Sequence, residues 1–219
     1  MSCFIDIHSH NIESNAEICI HNLDLRYDLP KASMNIKFSA GIHPWYIDDN
    51  WSFYLEKTEK LLSESKISAI GECGIDLIKN RNLELQKTVF IEQAKLAEKY
   101  NKPLIIHCVK GYNILIEITK KHNFTKPMIF HGFNNKTEIA KKLIEEGFYI
   151  SFGKSLFNIK SNSAEVLKSI PKDRFFLETD DYNKDIYSIY NKASEILNIP
   201  IDELSNQIKI NYNTIFHEK

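Results

Sequence analysis

The stretch FIDIHSH, residues 4–10, carries His8 and His10 two apart, with Asp6 just before them. Residues two apart on a strand project to the same face, so both imidazoles point the same way, either as half of a metal chelate or as two unrelated polar residues. Other apolar runs end in the same fashion. FSAGIH ends in His43, SAIGE in Glu72, PLIIH in His107, PMIFH in His131 and FFLETD in Asp180. Four histidines and two carboxylates (His8, His10, His107, His131, Glu72, Asp180) form the ligand inventory for two divalent metals, one held partly by the His-x-His pair and both bridged by a carboxylate. A single histidine at a strand end is usually a capping or solvent-facing residue, and His21, His122 and His217, which break the pattern, are read that way.

The elements that must position these residues follow from periodicity. FIDI, EICI, IKFSAG, SAIGE, PLIIH, PMIFH, FYISF and RFFLE read as strands. Amphipathic helical patterns separate the later ones, such as WSFYLEKTEKLLSE and ELQKTVFIEQAKLAEKY, the latter with Leu85, Val89, Leu96 and Tyr100 along one face. NKTEIAKKLIEEG opens on Asn135 with Glu138 three places later, a capping-box pattern, and closes on Gly147. Strands alternating with helices predict an α/β protein with a parallel sheet, and eight strands match a TIM barrel, whose strand C-termini share the rim where active sites are built. The N-terminal part departs from the ideal. Few residues separate His10 from EICI, and the link 25–36 contains Pro30 and no clear helical face. A parallel crossover normally needs a dozen or more residues. The expectation is a distorted (β/α)8 TIM barrel with the first outer helices reduced or missing.

Composition narrows the class. The 219 residues are 43% hydrophobic and 26% charged, with no internal repeat or long linker, which predicts a single domain over 1–219. The net charge of -1 lacks the basic excess of a dedicated nucleic-acid-binding domain. No apolar run approaches the ~20 residues of a membrane span, and MSCFIDIHSH lacks a basic region followed by an apolar stretch. The expected setting is cytoplasmic, without a membrane partner, and the expected state a monomer. Cys3, Cys19, Cys73 and Cys108 lie far apart with no CxxC pair and read as buried fillers, not as a structural zinc site.

FIDIHSH, AGIHPW, AIGECGID, PLIIHC, IFHGF, LETDD and the closing NYNTIF occur in an order that resembles the TatD family of metal-dependent deoxyribonucleases, within the broader amidohydrolase-type metallohydrolases. The resemblance implies a distorted TIM barrel and metal ligands at His8, His10, Glu72, His107, His131 and Asp180. This chain departs from the family in a compressed segment between Asn11 and Gly41, in Leu77 after GID, and in Lys110 as the nearest cation after the fifth strand.

The reaction expected from this set is hydrolysis by a metal-activated water, with two divalent ions (zinc, manganese, magnesium or similar). Glu72 is assigned as the bridging carboxylate and Asp180 as general base. His8, His10 and Asp180 are expected to hold one metal, and His107 and His131 the other. Asp6 and Asp76 are read as partners that orient ligand imidazoles. His43, Lys110 and Lys154 are read as substrate contacts, and Trp45 and Phe133 as rings for stacking on a base or for packing. The substrate implied by the resemblance is DNA, single-stranded or at its 3′ end. The alternatives are a small amide, lactone or phosphoester, or a metal-binding interaction module without catalysis.

Overall fold

A computed structural model describes residues 3–27, 36–64, 66–80 and 82–216. Along the chain run β1 (Ile5–Ser9), β2 (Ile18–Leu23), β3 (Ile36–Ala40), α1 (Trp51–Leu61), β4 (Ile67–Asp76), α2 (Leu83–Tyr100), β5 (Leu104–Val109) and α3 (Tyr112–His122). They are followed by β6 (Met128–Phe130), α4 (Thr137–Glu145), β7 (Tyr149–Phe152), α5 (Ser163–Ser169), β8 (Phe175–Leu177), α6 (Ile186–Leu197) and α7 (Ile201–Phe216). The eight strands form a parallel sheet in chain order, β1 to β8. A parallel bridge between Ser9 and Asp180 ties the end of β1 to the segment after β8. That is the connectivity of a (β/α)8 barrel, as the alternation of strands and helices predicts. No helix among the described residues separates β1 from β2, and residues 28–35, with Pro30, lie outside those described. No helix of the described residues is long and apolar enough to cross a membrane.

The chain divides into two compact units, one of Met1–His21, Ala32–Lys37 and Phe130–Lys219, the other of Asn22–Lys31 and Phe38–Ile129. In the first, a turn-rich loop replaces the missing helix after β1. Asn11 Oδ1 accepts from the Glu13 amide at 2.9 Å and Ser14 Oγ from the Ala16 amide at 3.2 Å. These short polar side chains supply the turns that a helix would otherwise make. The Tyr190 hydroxyl of α6 accepts from the Ile5 amide and donates to its carbonyl, both at 3.1 Å, and is fully buried. Asn211 of α7, in the NYNTIF motif, donates to the carbonyls of Lys172 and Phe175 at 2.9 and 3.0 Å. Polar side chains on the inner faces of two helices thus fix where β1 and β8 begin.

One helix start differs from expectation. The N-cap of α4 is Lys136, without a side-chain cap. Asn135 lies one residue too early, and its Oδ1 accepts from the Lys136 amide at 2.8 Å. The far end follows the sequence, since Gly147 takes φ +85° and its amide bonds the Ile144 carbonyl.

In the second unit β4 is buried over all ten residues, as a strand covered on both faces must be. Against it lies α2, whose buried face includes Gln86 and Gln93 beside Val89, Phe90 and Leu96. Gln86 accepts from the Asp76 amide at 2.7 Å, and Gln93 from the Ile42 amide at 2.6 Å. These two amides sit next to, or within, the chemistry-bearing strand ends, so α2 sets their position through hydrogen bonds as well as apolar contact. Closest of all is the approach of β4 to β5. Gly74, at φ +140°, pairs with His107, and a Cβ there would meet the His107 carbonyl oxygen at 2.0 Å. Gly74→Ala is therefore expected to lower stability by about 3 kcal/mol or more, whereas Gly147→Ala, with open space around the added carbon, costs only the left-handed backbone term of about 1–2 kcal/mol. Urea unfolding of both variants measures the difference.

Candidate functional site

In the first unit, backbone pairing at the strand ends assembles a cluster. The Asp180 amide donates to the His8 carbonyl and the His10 amide to the Asp180 carbonyl, both at 2.9 Å. His8 is fully buried, and its ring centroid lies 4.4 Å from that of His131 and 5.1 Å from that of His10. Asp180 Oδ1 stands 3.7 Å from His8 Nε2 and 3.6 Å from His10 Nε2. Ligand atoms of His8, His131 and Asp180 all fall within 4.8 Å of one another. Asp180 itself sits at φ +55°, a left-handed conformation uncommon for a non-glycine residue and frequent at functional sites.

Buried carboxylates brace this cluster. Glu178, wholly buried and two residues before Asp180, accepts from the Gly132 amide at 2.6 Å and from the Ser151 hydroxyl. The same Oε1 lies 3.6 Å from His131 Nδ1. Sequence reasoning passed over Glu178, although the two-apart spacing that singled out His8 and His10 applies equally to Glu178 and Asp180. Asp6 was expected to orient an imidazole. Instead its oxygens accept from the Thr179 amide at 3.0 Å and the Thr179 hydroxyl at 2.6 Å. The reason is reach: Thr179 presents two donors directly to Asp6, next to the bridge that closes β1 on the end of β8. Burial pushes the Asp6 carboxyl up to about 7, against the opposing pull of these bonds.

Lys154, expected to meet substrate, is paired with Asp181 and lies 3.6 Å from Asp180 Oδ2. Burial opposes its charge, but these carboxylates raise its pKa. His21, set aside in the sequence, pairs in register with Ser9, and burial followed by the field of His10 lowers its pKa. Phe133 is buried and packs on Phe152, so it belongs to the core and does not offer a ring to substrate. His122 is exposed at the end of α3, stacked on Phe124, and His217 lies outside the described residues.

The second unit holds His43, Glu72 and His107, whose ligand atoms likewise fall within 4.8 Å of one another. Glu72 is buried at the centre of β4, with Oε2 at 3.4 Å from His43 Nε2 and 3.5 Å from His107 Nδ1. Its amide donates to Asn22 Oδ1 at 2.7 Å. Asp76 Oδ2 lies 3.1 Å from His107 Nε2, so the Nε2 proton points at a carboxylate and the Nδ1 lone pair faces Glu72. Asp76 is itself surrounded by donors. Burial opposes its charge, but bonds from the Trp45 indole, the Lys79 amide, His107 and the Ile78 amide bring it down to about 2.

His43 stands in a different state. Its Nδ1 accepts from the Trp45 amide at 3.0 Å. A neutral imidazole whose Nδ1 lone pair is so engaged carries its proton on Nε2. His43 therefore presents an N–H toward Glu72, and nearness alone does not make it a third ligand. Lys110 is exposed at φ +61° directly after β5.

Neutral imidazoles and carboxylates gathered this closely suit zinc, manganese and related divalent ions. His8, His131 and Asp180 fit one such ion, with His10 beside them, and Glu72 with His107 Nδ1 fits another.

The TatD related DNase family matches residues 11–217. An uncharacterized metal-dependent hydrolase of Buchnera aphidicola is 35% identical over 173 residues, which cover 78% of this chain and 65% of that protein. The Escherichia coli metal-dependent hydrolase YcfH is 30% identical over 70% of this chain and 58% of its own length. The chain thus spans under two thirds of either relative. The crystal structure of YjjV, a TatD homologue from E. coli, superposes with a TM-score of 0.88 at 23% identity over the full length of both chains. A hydrolase TatD family protein from Entamoeba histolytica gives 0.81 at 19% identity over 99% of each chain. These likenesses confirm the TIM-barrel fold, and with a family match running through nearly every strand-end motif the chain belongs to the TatD related DNase family of metal-dependent hydrolases.

Proposed function

We propose that the chain is a divalent-metal-dependent deoxyribonuclease that removes nucleotides from the 3′ end of single-stranded DNA by attack of water. The observation that carries this reading is a compact set of imidazoles and a carboxylate in each unit, in a chain of the TatD related DNase family. A bound divalent ion supplies Lewis-acid charge and makes a coordinated water acidic near neutral pH. The chain's own residues do the rest. Asp180, held by two backbone bonds, is the proton acceptor, because its carboxylate faces the His8 and His10 nitrogens from a fixed backbone. Glu72 supplies the carboxylate of the other set, and Asp76 holds His107 with Nδ1 forward. His43, its Nδ1 engaged by the Trp45 amide, offers its Nε2 proton to an oxygen of the substrate or leaving group.

One observation favours a small-molecule substrate instead. A cavity of about 340 Å³ in the first unit is lined by Asp6, Ser9, Asn11, Thr179, Tyr182 and Lys184, among others. That volume suits a small polar ligand, and Lys154 is already occupied by carboxylates. Lactones, amides and phosphoesters form the matching panel.

Digestion of 3′- and 5′-labelled single-stranded DNA with Mg²⁺, Mn²⁺ or Zn²⁺ tests the proposal. The expected result is metal-dependent shortening from the 3′ end, reduced about 10²–10⁴-fold in Asp180→Asn. Intact DNA beside turnover on the small-molecule panel reverses the order of the two readings. Metal analysis separates ligands from helpers. His107→Ala is expected to lose bound metal and Asp76→Asn to weaken metal affinity about 10–100-fold. His43→Ala is expected to keep the metal content while lowering turnover, and loss of metal in this variant overturns the role assigned to its N–H.

A further inference from the structure

A short helical turn, Pro44–Tyr46, follows His43 and mounts two aromatic rings beside the second cluster. Trp45 and Tyr46 are 45% and 47% exposed. The Trp45 indole N–H donates to Asp76 Oδ2 at 2.6 Å, and Asn80 Nδ2 donates to the Pro44 carbonyl at 2.9 Å. Trp45 lies 4.9 Å from the His43 ring and 5.6 Å from that of His107, centroid to centroid. Each ring has a cation. Lys79 Nζ stands 5.5 Å from the Trp45 ring, and the Arg26 guanidinium covers Tyr46 at 4.0 Å, fixed in place by Asp24 Oδ1 at 2.8 Å from Nε. Tyr27, 68% exposed, continues the row 5.8 Å beyond Arg26.

Trp45 is anchored at its indole edge by Asp76, Tyr46 is covered on one face by Arg26, and the two rings meet edge to face 6.5 Å apart at 80°. Two partly exposed rings, each with a cation beside it, match unpaired nucleobases on a phosphate backbone. Every base has a π-face, and the cations meet phosphates or stack in turn. A duplex keeps its base faces stacked inside the helix and has nothing to lay on such a row. Aromatic rings and arginine also occur at protein interfaces, but a cation beside each ring is complementary to a run of phosphates. We propose that Trp45 and Tyr46, with Arg26 and Lys79, form a stacking platform for unpaired bases of the strand whose phosphodiester is cleaved. This rests on the nuclease reading, and it names the substrate as single-stranded nucleic acid held by its bases, which offsets the missing basic excess.

The test is equilibrium binding, independent of cleavage, on the full-length chain carrying Asp180→Asn at fixed salt. Fluorescein-labelled oligo(dT) is compared with an abasic oligonucleotide of the same length and charge. The platform predicts tighter binding of oligo(dT), by about 5-fold or more. That preference is lost in Tyr46→Ala and Trp45→Ala and kept in Tyr46→Phe and Trp45→Phe, which retain a ring and control for folding. Trp45 and Trp51 are the two tryptophans of the chain, so a Trp51→Phe background makes Trp45 the reporter, quenched by oligo(dT) and not by the abasic strand. Equal affinity for both strands, no binding of either, or a preference that survives both alanine variants overturns the platform. DNA cleavage without base preference leaves the nuclease standing and removes the platform. Base preference in a chain that cleaves no DNA keeps the platform and removes the phosphodiesterase reading.

Discussion

Asp180 exchanges backbone hydrogen bonds with both histidines of the His-x-His pair, its amide to the His8 carbonyl and its carbonyl from the His10 amide. This pairing joins the end of β1 to the segment after β8 and brings three chemistry-bearing side chains together. The rest of the first unit serves it. Tyr190 fixes the start of β1, and Asn211 fixes the start of β8, each by saturating backbone groups that burial would otherwise leave costly. Glu17 and the Asn11 turn carry the chain from β1 to β2 without a helix, and the Glu17 carboxylate takes the Phe4 amide at 2.6 Å. Register errors of one residue would invert every side chain at the strand ends. Bonds at both ends of β1 explain how a strand of five residues holds its register.

Two buried acids show how environment, not residue type, sets charge. Asp6 has two donors, both from Thr179, and burial prevails, carrying its carboxyl to about 7. Asp76 has four donors spread over Trp45, Ile78, Lys79 and His107, and these prevail over burial, holding it near 2. The difference suits their places. A permanent negative charge on Asp76 stabilises one tautomer of His107. Asp6 bonds to a neutral hydroxyl and amide, where a proton on the carboxyl is tolerable.

Much of this was legible in the sequence because strand ends bearing His, Glu and Asp are a one-dimensional signal. The strand order, the missing first helix and the candidates His8, His10, Glu72, His107, His131 and Asp180 all follow from local pattern. What escaped depends on reach in space. The expectation sets His131 with His107, whereas nearness of ligand atoms also places His131 within 4.8 Å of His8 and Asp180, a grouping no local pattern announces. Gln86 and Gln93 are buried on α2, where periodicity cannot tell a glutamine that seals a strand end from one in solvent. Phe133 and Trp45 each follow a histidine motif, yet one ring is buried at 1% and the other is 45% exposed. Only the turn geometry after each strand separates them.

Trp45 joins an exposed ring to the second cluster. Its amide fixes the tautomer of His43, its indole N–H holds Asp76, and Asp76 holds His107. One residue therefore sets the orientation of two imidazoles through three hydrogen bonds while leaving nearly half its own surface open. Replacing the indole therefore removes the bond to Asp76 as well as the exposed ring, which gives a physical reason for a tryptophan on the Pro44–Tyr46 turn.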